Sequence, residues 1–202
     1  VPPAEAVLML PEAVAVAAPS LDWETLAAQV RACQACRLHQ TRTQTVFGVG
    51  DRHARWMVIG EAPGADEDAQ GEPFVGRAGQ LLNAMLRGMG LRREQVYIAN
   101  VLKCRPPQNR DPLEDETVQC LPYLRQQIIG VQPKLLLAVG RVAAQALLAT
   151  HTPIGQLRGS VHEYAGLPLV VTYHPAYLLR SPTQKRKAWE DLLLAQRVAH
   201  PL

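Results

Sequence analysis

The sequence predicts an α/β fold, a parallel sheet with helices packed on both faces. Three observations carry this. Strand-like and helix-like segments alternate along the chain. The strand-like segments are continuous apolar runs without a polar face, as expected of strands buried on both sides. The polar, Gly- and Pro-rich stretches GEAPG, NVLKC and HPAY each follow one of those runs, and in such sheets the ligand sits at the carboxyl ends of the strands.

Residues 1–20, rich in Ala, Val and Pro without a period, read as a tail or linker. Residues 21–202 read as one domain, a length that buries a full core. Ser20 is placed to cap a helix carrying Trp23, Leu26, Ala27 and Val30 at helical spacing and ending near Cys33. Residues 55–61 (RWMVIGE) form a buried strand that breaks at Ala62-Pro63-Gly64. Residues 77–89 form an amphipathic helix, 96–102 (VYIANVL) a strand and 114–129 a helix. A strand over 134–140 ends at Gly140 and leads into a helix over 141–149. The last strand, 167–173, ends in His174-Pro175, and a final helix spans about 184–198. No repeat is present.

Hydrophobic residues make up 48% of the 202-residue chain and charged residues 19%, the balance of a globular domain. No apolar run approaches the ~18 residues a membrane-spanning helix needs, and no membrane partner is expected. The net charge of +3 is compatible with a polyanion but too small to argue for one. Lys185-Arg186-Lys187, with Arg180 ahead of it, is the densest basic run and by charge alone reads as a solvated helix face.

Four cysteines are present. Cys33 and Cys36 form a CxxC, which places two thiols on one turn. Cys104 follows a strand and Cys120 falls inside a helix, so both must return to the pair through the fold. Spacing alone leaves a zinc site, an iron–sulfur cluster, a redox CxxC and plain buried cysteines open. Two disulfides are arithmetically possible, but no secretory signal is seen, which favours a reducing cytoplasm and metal ligation.

At the strand ends, Glu61-Ala62-Pro63-Gly64 makes a tight turn that can aim backbone N–H groups at an oxyanion. Phe74 lies between Pro73 and two glycines; read alone it is a core side chain, but a loop ring in a crevice can also stack on a base. Asn100 interrupts an apolar strand and needs hydrogen-bond partners. Asn109 reads as a turn residue. His174 ends the last strand; read alone it is a structurally satisfied histidine, but a neutral imidazole there can also donate to an oxygen gaining negative charge. No dinucleotide-binding fingerprint follows the first strand.

Taken in order, the CxxC, GEAPG, GEPFVGRAG, NVLKCRPPQNR, a later cysteine and HPAYLLR resemble the family-four, thermophile-type uracil-DNA glycosylases. The resemblance spans about residues 22–195. It implies the three-layer α/β/α sandwich of that superfamily. It implies that Cys33, Cys36, Cys104 and Cys120 hold a structural [4Fe–4S] cluster, and that the partner is uracil-containing DNA, single- or double-stranded, with the protein acting as a cytoplasmic monomer. By the same resemblance, Phe74 would stack on a flipped uracil and Asn100 would read its Watson–Crick edge. Glu67 would exclude the thymine methyl. Ala62, Gly64 and His174 would surround the departing base. Glu61 or Asn109 would handle the attacking water. Leu178, in preference to Leu179, would wedge into the duplex, and Arg180 and Lys185 would meet phosphates. A related branch that stays covalently attached to its abasic product has GEQPG and an inserted basic loop; this chain has Ala62 and no insertion, so turnover is expected. Two other readings are a catalytically silent DNA-binding module of the same fold and a small-molecule hydrolase with a zinc site.

Overall fold

The computed structural model describes residues 22–199. The predicted tail at 1–20 and the predicted cap Ser20 lie outside them. The first helix, α1 (Trp23–Ala32), is instead capped by Asp22, whose carboxylate accepts from the Thr25 N–H at 3.1 Å, a bond typically worth about 1 kcal/mol.

Six strands make one sheet: β1 (Val49–Gly50), β2 (Trp56–Gly60), β3 (Tyr97–Asn100), β4 (Leu135–Val139), β5 (Val161–Tyr164) and β6 (Leu167–Thr172). Their order is β1-β3-β2-β4-β6-β5. The four inner strands are parallel, as the continuous apolar runs require. Both edge strands are antiparallel and make the sheet mixed. Neither edge was legible as a strand. β1 is two residues long and ends in Gly50, and β5 is a polar VHEY segment with no buried residue. β5 reaches β6 through Ala165 and Gly166, both at positive φ (50° and 78°), the handedness that matches strand twist in a two-residue hairpin.

Side chains of the inner strands alternate between two cores. Met57, Ile59, Tyr97, Ala99, Leu136, Ala138, Leu169 and Val171 point to one face. They pack on α1, α4 (Glu114–Val131), α5 (Arg141–Leu148) and α6 (Ile154–Leu157) through residues such as Leu124, Ile128 and Leu147. Trp56, Val58, Ile98, Leu135, Leu137, Val139 and Val170 point to the other face. There they meet α3 (Arg77–Gly88) through Leu82 and Leu86, and α8 (Lys185–Ala199) through Leu192 and Ala195. Each fully buried Leu or Ile contributes roughly 1.5–3 kcal/mol. The result is a three-layer α/β/α sandwich. Among the described residues no helix is long and apolar enough to cross a membrane.

Topology places the crevice. The chain leaves β2 for β3 on one side, then crosses back to β4 and outward to β6. The order therefore reverses between β2 and β4, and the loops after their carboxyl ends diverge there. Two short helices that the sequence reading did not resolve flank the opening: α2 (Ala65–Gln70) in the loop after β2, and α7 (Pro175–Arg180) after β6.

Gly79, buried in the first turns of α3, lets the helix lie directly on the main chain of Phe74; a Cβ there would collide with the Phe74 carbonyl oxygen. Phe74 itself is held at φ 55°, a left-handed conformation uncommon for a bulky residue. Because the neighbour is backbone and cannot rotate away, Gly79→Ala is expected to destabilise the protein by about 1–3 kcal/mol. Thermal or urea unfolding measures this, and an unchanged midpoint would contradict the packing described.

Candidate active site

The strand ends meet at Gly60. In the parallel register Gly60 lies opposite Asn100. The pairing continues past the strands, Val101 N–H donating to the Gly60 carbonyl at 2.9 Å and Leu102 N–H to that of Glu61 at 3.0 Å. A Cβ on Gly60 would overlap both the Asn100 amide and the tip of the Phe74 ring. The absent side chain is therefore what lets those two groups meet at the floor of the crevice. Asn100 is 2% exposed, and its Oδ1 has no hydrogen-bond partner among the described residues. An unmet buried acceptor costs about 1–3 kcal/mol. In a crevice that strain points to a ligand that donates a hydrogen bond.

Two side chains hold the Phe74 loop in place. The Glu67 carboxylate accepts from the N–H groups of Gly64 (3.1 Å), Val75 (3.0 Å) and Gly76 (3.2 Å), clasping the GEAPG turn to the loop carrying Phe74. Arg93 reaches from the far side, donating to the carbonyls of Pro73 and Phe74 and pairing with Glu72 at 2.9 Å. Glu67 lines the crevice, as predicted for a steric wall, but both of its oxygens are engaged with backbone. Gly64, expected among the residues around the base, donates its N–H to Glu67.

His174 caps α7 with its own ring: Nδ1 accepts from the Ala176 N–H at 3.1 Å. Acceptance at Nδ1 assigns the proton of the neutral ring to Nε2. Burial, aided by the Arg180 charge, pushes the pKa down to about 4, so the ring stays neutral. Gly140, at φ 105°, packs against its Cβ, and the Phe74 ring stacks against it with centroids 5.6 Å apart. Glu61 behaves in the opposite sense. Burial, reinforced by the Asp111 carboxylate and opposed by Arg141, lifts its pKa to about 7. Asp111 and Arg141 are themselves paired at 2.5 Å.

Glu61, Ala62, Gly64, Glu67, Phe74, Asn100, Asn109, His174 and Arg180 all line this one crevice, with Asp111 and Tyr177. Asn109 sits at φ 55° directly after Gln108 at φ 56°, and its Oδ1 accepts from Arg105 at 2.8 Å. The two leucines of α7 fall differently from the prediction. Leu178 is 1% exposed and packs toward α3 and α8, whereas Leu179 is 37% exposed. Successive helical residues lie about 100° apart, so only one of the pair can face the core. Of the two, Leu179 is the one a partner could reach. Lys185 is exposed at the start of α8, beside Leu178 and Trp189 and outside the crevice lining.

On the α1–α4 side, Cys33, Cys36, Cys104 and Cys120 line a single cavity. Cys33 ends α1, Cys36 opens a 3₁₀ turn, Cys104 follows β3, and Cys120 is in α4. None is in a disulfide. The Cys104 sulfur accepts from Arg42 at 3.0 Å and that of Cys120 from the Lys103 N–H at 3.2 Å. Burial pushes the Cys120 thiol up to about 12 and raises those of Cys36 and Cys104. Among the described residues no three His, Cys, Asp or Glu converge as a single ion requires, whereas zinc needs its sulfurs all about 2.3 Å from one point. Four thiols around one cavity are a donor set that zinc and iron–sulfur centres share.

Sequence reasoning missed Arg42, Arg93, Lys103, Asp111 and Arg141. Only Lys103 left a signal, as the lone charge within VYIANVLKC. The others sit in loops or at helix ends where charge is ordinary.

Comparison with known proteins places the chain. A model of the uracil DNA glycosylase superfamily matches residues 47–193, which include the whole crevice but not Cys33 and Cys36. A type-4 uracil-DNA glycosylase of Archaeoglobus fulgidus is 44% identical over 171 residues, covering 81% of this chain and 85% of its own length. One of Thermotoga maritima is 42% identical over 173 residues, covering 84% and 90%. A type-5 uracil-DNA glycosylase of Pyrobaculum aerophilum is 33% identical over 146 residues, covering 64% of each. On this similarity, joined to the sandwich and to the residues gathered at its strand ends, the chain belongs to the uracil DNA glycosylase superfamily and, within it, to the type-4 uracil-DNA glycosylases.

Proposed function

We propose that this protein takes a uracil flipped out of DNA into the crevice and hydrolyses its N-glycosidic bond, leaving an abasic site for base excision repair. The observation that carries the reading is the buried, unpaired Oδ1 of Asn100. Uracil N3–H would satisfy it, while the side-chain N–H donates to O4. Cytosine presents the reverse pattern, N3 accepting and N4 donating, and would leave both partners unmet. Phe74 supplies a face for the ring to stack on. Glu67, clasped to three backbone N–H groups, sets the wall against which a thymine methyl would press.

Bond cleavage leaves the electron pair on uracil, mostly at O2, and positive charge on the sugar. A neutral His174 with its proton on Nε2 donates to that oxygen without needing to be charged. The N–H groups of the turn around Glu61 and Ala62 add to it, that of Gly64 being occupied. Water then forms the new C–O bond at the sugar and releases a proton. Glu61, with its carboxyl poised near neutrality, orients that water and accepts the proton, and Asn109 borders the same space. Leu179 enters the gap left by the base, and Arg180 and Lys185 meet phosphates on either side. The substrate is uracil-containing DNA, single- or double-stranded, and the protein works as a monomer in the cytoplasm.

The four cysteines fit a [4Fe–4S] cluster held by Cys33, Cys36, Cys104 and Cys120. Such a cluster, when bound, ties α1 to α4 and to the turn after β3 and takes no part in hydrolysis.

Four outcomes are expected. A labelled oligonucleotide with one uracil should be cut at alkali after treatment with the protein. His174→Ala and Asn100→Ala should each slow this about 100- to 1,000-fold, and a folded, DNA-binding wild type that never cuts would sink the reading. The rate should climb as pH rises through about 7 and then level off, because Glu61 must be ionised while His174 is already neutral. Glu61→Gln should abolish that climb. The same shift works against stability: folded Glu61 keeps its proton to about pH 7, an unfolded glutamate only to about 4.3. The fold therefore loses stability as pH rises between those values, and Glu61→Gln should raise the melting temperature at pH 8. Finally, the purified protein should be brown and contain iron with acid-labile sulfide; a colourless, active protein containing zinc would refute the cluster.

A further inference from the structure

Lys103 is among the largest fully buried side chains, 1% exposed. Its Nζ donates to the carbonyl oxygen of Asn100 at 2.7 Å and to Gln127 Oε1 at 2.6 Å. Gln127, on α4 and itself 0% exposed, donates in turn to the Phe47 carbonyl at 2.8 Å and the Tyr97 hydroxyl at 3.2 Å. The main chain of Lys103 is also bound on both sides. Its N–H donates to the Cys120 sulfur at 3.2 Å, and its carbonyl accepts from the Val46 N–H at 2.8 Å. Among the described residues no carboxylate pairs with the ammonium.

The turn from Asn100 to Lys103 is thus closed by the side chain of its last residue. Asn100 leaves β3 with its amide in the crevice, and three residues later the chain delivers Cys104 to the cysteine cavity. Nothing in the packing of an apolar core calls for a lysine here. Burying an ammonium is costly unless it is paired and hydrogen-bonded, and this one spends its bonds on the backbone of the residue with the unpaired amide.

We propose that Lys103 is a positioning residue for base recognition: its ammonium, anchored by Gln127, holds the Asn100 main chain so that the Asn100 amide meets the uracil edge. The proposal rests on Asn100 being the uracil reader. It makes the alignment of the crevice depend on the cysteine site one turn away, although no cysteine touches the base.

The test uses the full chain with its metal centre and compares wild type, Lys103→Met and Asn100→Ala. Methionine keeps the length and apolar stem and removes the donor. Three quantities are read besides cleavage: inhibition by free uracil, affinity for an oligonucleotide carrying a stable abasic analogue, and iron per chain. Lys103→Met should weaken inhibition by uracil about tenfold, the loss of one well-placed charged hydrogen bond, while abasic-DNA affinity and iron content stay at wild-type values. A merely structural role would lower all three together and would overturn the proposal. Inhibition by uracil within twofold of wild type, in a protein with full iron, would also overturn it. If Lys103→Met does not accumulate, Gln127→Met loosens the same ammonium from α4. There the same split, at about threefold, supports the proposal, and its absence refutes it. Wild-type inhibition in Asn100→Ala would instead remove the uracil-reading role of Asn100, a separate failure.

Discussion

The missing side chain at Gly60 is the constraint on which the site depends. β2 and β3 are paired so that Gly60 faces Asn100, and the space a Cβ would fill is shared by the Asn100 amide and the Phe74 ring. Any larger residue would have to push one of them out. The same dependence spreads outward. Phe74 reaches that space only because its loop is held in a left-handed turn, Gly79 lets α3 close beneath it, and Glu67 and Arg93 bind the loop from two sides. Asn100 reaches it because the turn that follows is closed by Lys103. The crevice is therefore a meeting of two backbone segments, each secured by buried polar side chains, over a residue that contributes only room.

The electrostatic design separates two tasks in one low-dielectric space. His174 is neutral, with Nδ1 saturated by Ala176, so it offers an uncharged Nε2–H donor. Glu61 is near the balance between its two forms because burial and the Asp111 charge oppose its ionisation while Arg141 favours it. Environments that drive two titratable groups apart let one site hold them in different protonation states at the same pH. Here they arise from position along strand ends: Glu61 leaves β2 toward the Asp111–Arg141 pair, and His174 leaves β6 beneath Phe74.

Much of this was readable before the structure. The four inner strands announced themselves as unbroken apolar runs, since each must satisfy two cores at once, and the breaks after them marked the crevice. The helices α1, α3, α4, α5 and α8 followed from periodicity. What escaped was short or polar. β1 is only two residues, β5 is half-exposed, and α2 and α7 are too brief to show a period. The choice between Leu178 and Leu179 could not be made from composition, because it depends on the phase of a six-residue helix set by the packing of its neighbours. Arg93 acts largely through bonds to main-chain atoms, which leave no trace in a residue pattern; Lys103 showed as a lone charge in an apolar run but not as a partner of the Asn100 carbonyl.

His174 carries a further consequence. Its ring is both the capping group of α7 and the donor that faces the crevice. Few side chains can satisfy the Ala176 N–H two residues on and still reach forward with a second polar atom. Asparagine and aspartate can cap, but they are shorter and would stop short of the opening. A replacement at this position is therefore constrained twice, once by the helix cap and once by the polar atom presented to the crevice. An alanine there removes a cap along with a donor, and it would unmoor the segment that carries Leu179 and Arg180 as well.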